Sequence, residues 1–336
     1  MKNVKHLNKY IELHAHLDGS ITVSIAKELS IKQKIPLPSN DDAELIKLFS
    51  VKEDNKSLEE YLTHFELPLS FLQTYEGLSK GMELVANNMH SQGVIYAEIR
   101  FAPQLHQRKN MSQEQAVKAA LDGLKNSKLK DNLNIILSFM RGKGNENDNE
   151  ETLRLAKKYL VKHGGVVAVD LAGAEASFPT SEYRELFNKV KEKGVPFTIH
   201  AGEADGPQSV MDAINFGAKR IGHGVKIYED ENAMKIVKEK GITLEMCPTS
   251  NKHTQAITDM SKYPLIDFLN RGLKVTVNTD DMAISRITLK SEFEYLEQNF
   301  GLTYEQEIQI IKNSIDAAFT TPEVKERLKN EFELYP

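Results

Sequence analysis

Tyr10-Ile-Glu-Leu-His14-Ala-His16-Leu-Asp18-Gly-Ser20 is an apolar run that ends in two histidines and an aspartate. Histidines two apart on a strand point to the same face. Two imidazoles fixed on one side can bind a single Zn²⁺, although the same spacing also fits interior histidines satisfied by hydrogen bonds. Similar clusters close other short apolar runs: His200-Ala-Gly-Glu203, Gly222-His223-Gly224 and Thr279-Asp280-Asp281. Chemistry at the C-terminal ends of parallel strands is the arrangement of a (β/α)₈ barrel.

The rest of the chain has the matching rhythm. Eight β-like runs recur, at Tyr10–Leu17, Val94–Phe101, Asn134–Arg141, Val166–Gly173, Pro196–Gly202, Arg220–Gly224, Ile242–Pro248 and Lys274–Thr279. Helical spacing lies between them, as at Gln113–Lys125, Glu151–His163, Glu182–Glu192 and Glu231–Lys240. Strand alternating with helix implies parallel βαβ units, and eight of them close a barrel. We therefore expect an α/β fold, a TIM-type (β/α)8 barrel forming one domain over residues 1–336. Gly142–Glu150 reads as a solvated loop. The first crossover, Gly19–Gly93, is far longer than one helix needs. Helical stretches at Ile21–Gln33, Asp41–Leu48, Leu58–Phe71 and Tyr75–His90 predict an insertion over the barrel mouth. Leu58, Tyr61, Leu62 and Phe65 have helical spacing that suits either core or an apolar lid. Extra helices are expected at Thr303–Phe319 and Pro322–Phe332.

Composition excludes several classes. The 336 residues are 40% hydrophobic, enough for a large core, and no apolar run reaches membrane-spanning length. One cysteine permits no intrachain disulfide and no Cys-rich zinc site. Met1–Tyr10 is polar, without a signal-peptide core. A cytoplasmic location follows as the expectation. A net charge of -5 argues against a polyanionic nucleic-acid partner.

Each remaining candidate has two readings. Glu203 follows a glycine that lets the chain turn back over the pocket. It is either a helix-capping or loop acid, or a carboxyl kept protonated to donate a proton. His223, between two glycines, is either a core histidine or a site residue. Asp280 and Asp281 would repel unless a cation or donors lie near. Asp281 can instead cap the next helix, and Asp18 is either a cap or a substrate contact. Gly173 is either a turn glycine or a bare backbone facing ligand. Cys247 reads as a small buried hydrophobe.

Taken together, Tyr10–Ser20, Asp170-Leu-Ala-Gly173, His200-Ala-Gly-Glu203, Ile221-Gly-His-Gly-Val225, Cys247-Pro-Thr-Ser-Asn251 and Asn278-Thr-Asp-Asp281 resemble the adenosine deaminase family. The resemblance runs in order from about Tyr10 through the C-terminal helices. It implies one Zn²⁺ per chain on His14, His16, His200 and Asp280. It further implies Glu203 as proton donor to purine N1, and His223 with Asp280 as the groups that orient or deprotonate water. His16, Asp18, Gly173 and Asp281 would contact a purine nucleoside. Hydrolytic deamination of adenosine, and of 2′-deoxyadenosine, to inosine in purine salvage is the implied function, with no nucleic-acid or membrane partner. Ala174 and Met282 depart from the family pattern, which bears on the exact purine. Adenine or a modified adenine nucleoside is the nearest competing substrate. The competing classes are a bimetallic ester or phosphotriester hydrolase, which needs a bridging group where Gly173 stands, and a binding protein on an inactive barrel.

Overall fold

A computed structural model describes residues 7–52, 55 and 57–332. The part of the N-terminal expectation that falls on Met1–His6 lies outside the described residues. Eight parallel strands run in chain order: β1 Tyr10–His16, β2 Val94–Phe101, β3 Leu133–Met140, β4 Val166–Ala172, β5 His200–Ala201, β6 Arg220–His223, β7 Thr243–Met246 and β8 Lys274–Val277. Most of their residues are buried. That is why they read as near-continuous apolar runs and not as alternating ones.

Ladder hydrogen bonds join β1 through β4 and β5 through β8. Two seams complete the ring. At one, Val169 bridges Phe197, with Val169 N donating to Pro196 O at 2.9 Å. Only His200–Ala201 pairs regularly on the expected Pro196–Gly202 strand, since Pro196 has no N–H for a ladder. At the other seam, Ala15 bridges Asp280, and His16 N donates to Asp280 O at 2.8 Å. Side chains finish that junction: Asn278 Oδ1 accepts from Leu13 N, and Glu12 Oε2 accepts from Thr279 N.

Helices cover the outside, each fixed by local signals. Ser112 and Gln115 form a capping box on Gln113–Asn126. Asp230 caps Glu231–Glu239. Gly217 ends Pro207–Phe216 in the left-handed conformation. The expected loop Gly142–Glu150 is half wrong, because a helix spans Glu146–Tyr159. Glu146 and Asp148 bring negative charge to its positive N-terminus. Buried Asn149 bonds both the N and the O of Met140, tying the first turns to the end of β3.

The long first crossover resolves into two parts. Tyr75–Ser91 is an ordinary barrel helix that packs on β2 and on Gln113–Asn126. Gly123 permits that closeness: a Cβ there would lie 2.2 Å from Ser79 O. The added material is therefore residues 17–74, shorter than the expected 19–93. Its expected helix Leu58–Phe71 is broken into Leu58–Leu62, a 3₁₀ turn at Thr63–Phe65, and Glu66–Ser70. Pro68 cannot donate to the turn before it. Leu58, Tyr61 and Ile284 form a small apolar cluster separate from the main core. Among the described residues no helix is long and apolar enough to cross a membrane.

The barrel floor is ionic. Arg100 donates to Glu245 at 2.8 Å and to Asp170 at 3.1 Å. Arg220 donates to Glu245 at 2.6 Å and to Glu98 at 2.5 Å, with its guanidinium 4.2 Å from the Phe319 ring. All five charged side chains are fully buried, so each depends on its partners. Arg220→Met should therefore lower the free energy of unfolding by roughly 3–5 kcal/mol, read from urea denaturation. Wild-type stability in this variant would show that the floor contributes nothing net.

Candidate active site

His14 and His16 leave the end of β1, His200 begins β5, His223 ends β6, and Asp280 follows β8. Four strand ends therefore deliver their side chains to one point. Asp280 and His223 both have φ 61, the left-handed region that non-glycine residues avoid. Such strain persists where surrounding contacts over-determine it.

The histidines are oriented from below. His14 Nδ1 lies 2.7 Å from Glu245 Oε2, and His200 Nδ1 lies 2.9 Å from Asp170 Oδ2. Burial lowers the pKa of His14 and drives that of His200 down to about 3, against the pull of Asp170. Both rings are thus neutral, with the proton on Nδ1 facing a carboxylate. Their Nε2 atoms are bare lone pairs, yet they stand 3.0 Å apart. His16 Nε2 is 3.2 Å from His200 Nε2, and Asp280 Oδ1 is 3.3 Å from both His14 Nε2 and His16 Nε2. Donors bound to one tetrahedral ion at about 2.0–2.1 Å would be about 3.3 Å apart. The donor set therefore fits a single zinc-like ion. Against burial, Asp280 and Asp281 lift His16 to about 9, so the site calls for positive charge.

The acid and the fourth histidine stand beside this set. Glu203 is pushed up to about 8, first by burial and then by the charge of Asp280, so its carboxyl is protonated near neutrality. Thr254 Oγ1 donates to its Oε1 at 2.8 Å. His223 Nε2 is 3.5 Å from Glu203 Oε2 and 3.8 Å from Asp280 Oδ2. Tyr263 donates to Asn251 Oδ1, which turns Asn251 Nδ2 to donate to His223 Nδ1. His223 therefore carries its proton on Nε2 and points an N–H into the site. Cys247 lies close to His223 and Asp280, and burial pushes its thiol well above the usual range.

A cavity of about 280 Å³ opens above, with His16, Asp18, Gly173, Glu203, Asp280 and Asp281 in its wall. That is near the lower size range of small-molecule pockets. Leu58, Tyr61, Leu62 and Phe65 form its apolar side. Ala174 also lines the cavity, whereas Met282 faces an outer groove. Only the first of the two departures can shape the pocket. Asp170 is consumed by Arg100 and His200, which removes the carboxylate a bimetallic site would need.

Glu175 was not singled out from the sequence. Buried, it accepts from the backbone N–H of Gly202, Glu203, Ala204 and Asp205, and from Ser209 Oγ. It thereby fixes the loop that carries Glu203. The available signal was a carboxylate two residues after the strand-end Gly173. Ser250, which donates to Asp280 Oδ2 at 2.7 Å, and Asn251 lie in the Cys247–Asn251 motif but had no role assigned from the sequence, and Thr254 was not singled out at all.

The family model described as adenosine deaminase matches residues 10–334. An adenosine deaminase of Haemophilus ducreyi is 46% identical over 322 residues, which cover 95% of this chain and 94% of that protein. One from Clostridium botulinum is 42% identical, covering 97% and 98%. Among solved structures, an adenine deaminase from Arthrobacter aurescens superposes with a TM-score of 0.85 at 25% identity, covering 96% and 98%.

Glu175→Gln would put amide hydrogens against the backbone N–H groups and loosen the Glu203 loop. A shift of 1 Å in a reacting group can cost about 10²-fold. We expect kcat to fall roughly tenfold to 10²-fold with metal content unchanged. Wild-type kcat would show that the loop holds its geometry without this carboxylate.

Proposed function

This chain belongs to the adenosine deaminase family, and from that premise we propose that it hydrolyses adenosine to inosine and ammonia. The carrying observation is the four donor atoms at tetrahedral spacing beside a protonated Glu203. We assign one Zn²⁺ per chain to His14, His16, His200 and Asp280. When bound, zinc supplies Lewis-acid activation that makes water nucleophilic near neutral pH.

The chain's own groups do the rest. Glu203 donates its proton to purine N1, which draws electrons from C6 and opens it to water. His223 offers its Nε2–H to the attacking oxygen and orients it. That tautomer cannot take a proton at Nε2, so Asp280 serves as the acceptor for the proton water gives up. The new C6–O bond forms, the C6–N bond breaks, and the amine leaves with that proton as ammonia, while the remaining hydroxyl proton passes to Glu203, which restores the acid and leaves the C6 carbonyl of inosine. Asp18, Gly173 and Asp281, with His16 at the edge, hold the nucleoside. Residues 17–74 act as a lid on a deaminase domain that includes the whole 1–336 chain. Closing an apolar lid excludes water and strengthens the charge interactions beneath it. A purine nucleoside and water are the partners, 2′-deoxyadenosine is a second substrate, and the setting is purine salvage in the cytoplasm.

Because Glu203 must be protonated to act, kcat/KM should fall as pH rises through about 8. Glu203→Gln should lose about 10²–10⁴-fold in turnover, retain metal, and lack this high-pH limb. A limb that persists in the variant would assign the titration, and the acid role, to another group.

A further inference from the structure

The cavity's apolar side carries one polar atom that packing does not require. Tyr61, on the helix Leu58–Leu62, is 1% exposed, and its ring packs with Leu58 and Ile284. Its hydroxyl donates to Asp281 Oδ2 at 3.1 Å. Ser285 Oγ lies 3.0 Å from the same hydroxyl, and His253 Nδ1 lies 3.2 Å from Ser285 Oγ. One donor order satisfies all three: His253 to Ser285, Ser285 to Tyr61, Tyr61 to Asp281.

Asp281 is thus held by one oxygen only. Oδ1 is buried and, among the described residues, has no hydrogen-bond partner. Gly19 backs it closely: a Cβ at Gly19 would lie 1.8 Å from that atom. The carboxyl is wedged between a bare Cα and the Tyr61 hydroxyl, in the wall of the cavity. A buried polar atom left unpaired is costly, and a ligand's polar edge would satisfy it. Val51 N donates to Ile284 O at 3.0 Å, so the inserted segment is tied to the same post-β8 loop.

We propose that Tyr61 is a positioning residue for purine recognition: its hydroxyl, carried by the inserted helix, turns Asp281 Oδ1 toward the base and links base binding to seating of the lid. The inference rests on the deaminase reading of the cavity. A tyrosine serves here where phenylalanine would fill the same volume, because only the hydroxyl reaches across to the carboxylate.

Tyr61→Phe keeps the ring and removes the hydroxyl. Hydrogen bonds of this kind are worth roughly 3–10-fold in affinity. We expect KM for adenosine to rise by about that factor with kcat nearly unchanged. Binding of inosine, measured by calorimetry, should weaken equally. In an Asp281→Ala background the same Tyr61→Phe change should alter inosine affinity little. Equal weakening in both backgrounds would make Tyr61 a packing residue only and overturn the inference. Unchanged KM in Tyr61→Phe would overturn it as well, and decides the matter alone if Asp281→Ala binds inosine too weakly to measure. Failure of the deaminase reading shows differently, as a wild-type protein that does not turn adenosine over.

Discussion

Two buried carboxylates, Glu245 and Asp170, each grip the Nδ1 of a histidine and are themselves bridged by Arg100. This triad beneath the barrel mouth decides what His14 and His200 present upward. With the protons committed below, two bare Nε2 atoms face each other at 3.0 Å. Carboxylates behind metal-binding histidines fix tautomer and ring orientation and raise ligand basicity. Removing either carboxylate would free the ring to flip, and the upward donor set would lose its definition. The cost of burying so much charge is offset by partners on many sides: Arg220 extends the network onto Glu98, and Thr198 donates to Glu245.

The same burial acts in opposite directions on neighbouring groups. It drives His200 down to about 3 and Glu203 up to about 8. Both shifts favour the neutral form, as a low-dielectric site requires. One environment therefore yields neutral imidazoles able to bind a cation and a protonated carboxyl able to give a proton. Asp280 and His16 are the exceptions: against burial, Asp280 and Asp281 lift His16 to about 9, and His14 and His16 hold Asp280 well below the usual carboxylate range. Environments that push titratable groups apart are what acid–base chemistry at neutral pH needs.

The sequence exposed the parts of this design that follow a period. His14 and His16 share a face because a strand repeats every two residues, and eight apolar runs announced eight strands. It also exposed the clusters at strand ends, because Gly202, Gly222 and Gly224 punctuate them. What it concealed depends on contacts distant in the chain. Glu175 meets the loop at 202–205 only once β4 and β5 lie side by side. Arg100, Arg220, Glu98 and Glu245 were readable as charges inside buried strands, which must pair somewhere, but their partners follow from barrel closure. Glu146–Tyr159 was mistaken at its start because its polar first turns lack apolar spacing and rely on Asn149 docking to Met140.

In the proposed reading, one ion on His14, His16, His200 and Asp280 makes this barrel a working adenosine deaminase. The most direct measurement is a titration of chelator-stripped protein with Zn²⁺, following both bound metal and the absorbance change as adenosine becomes inosine. Without metal there should be no turnover, and activity should rise linearly to a break at one equivalent per chain. Full adenosine turnover by protein shown to be free of transition metal would contradict this reading.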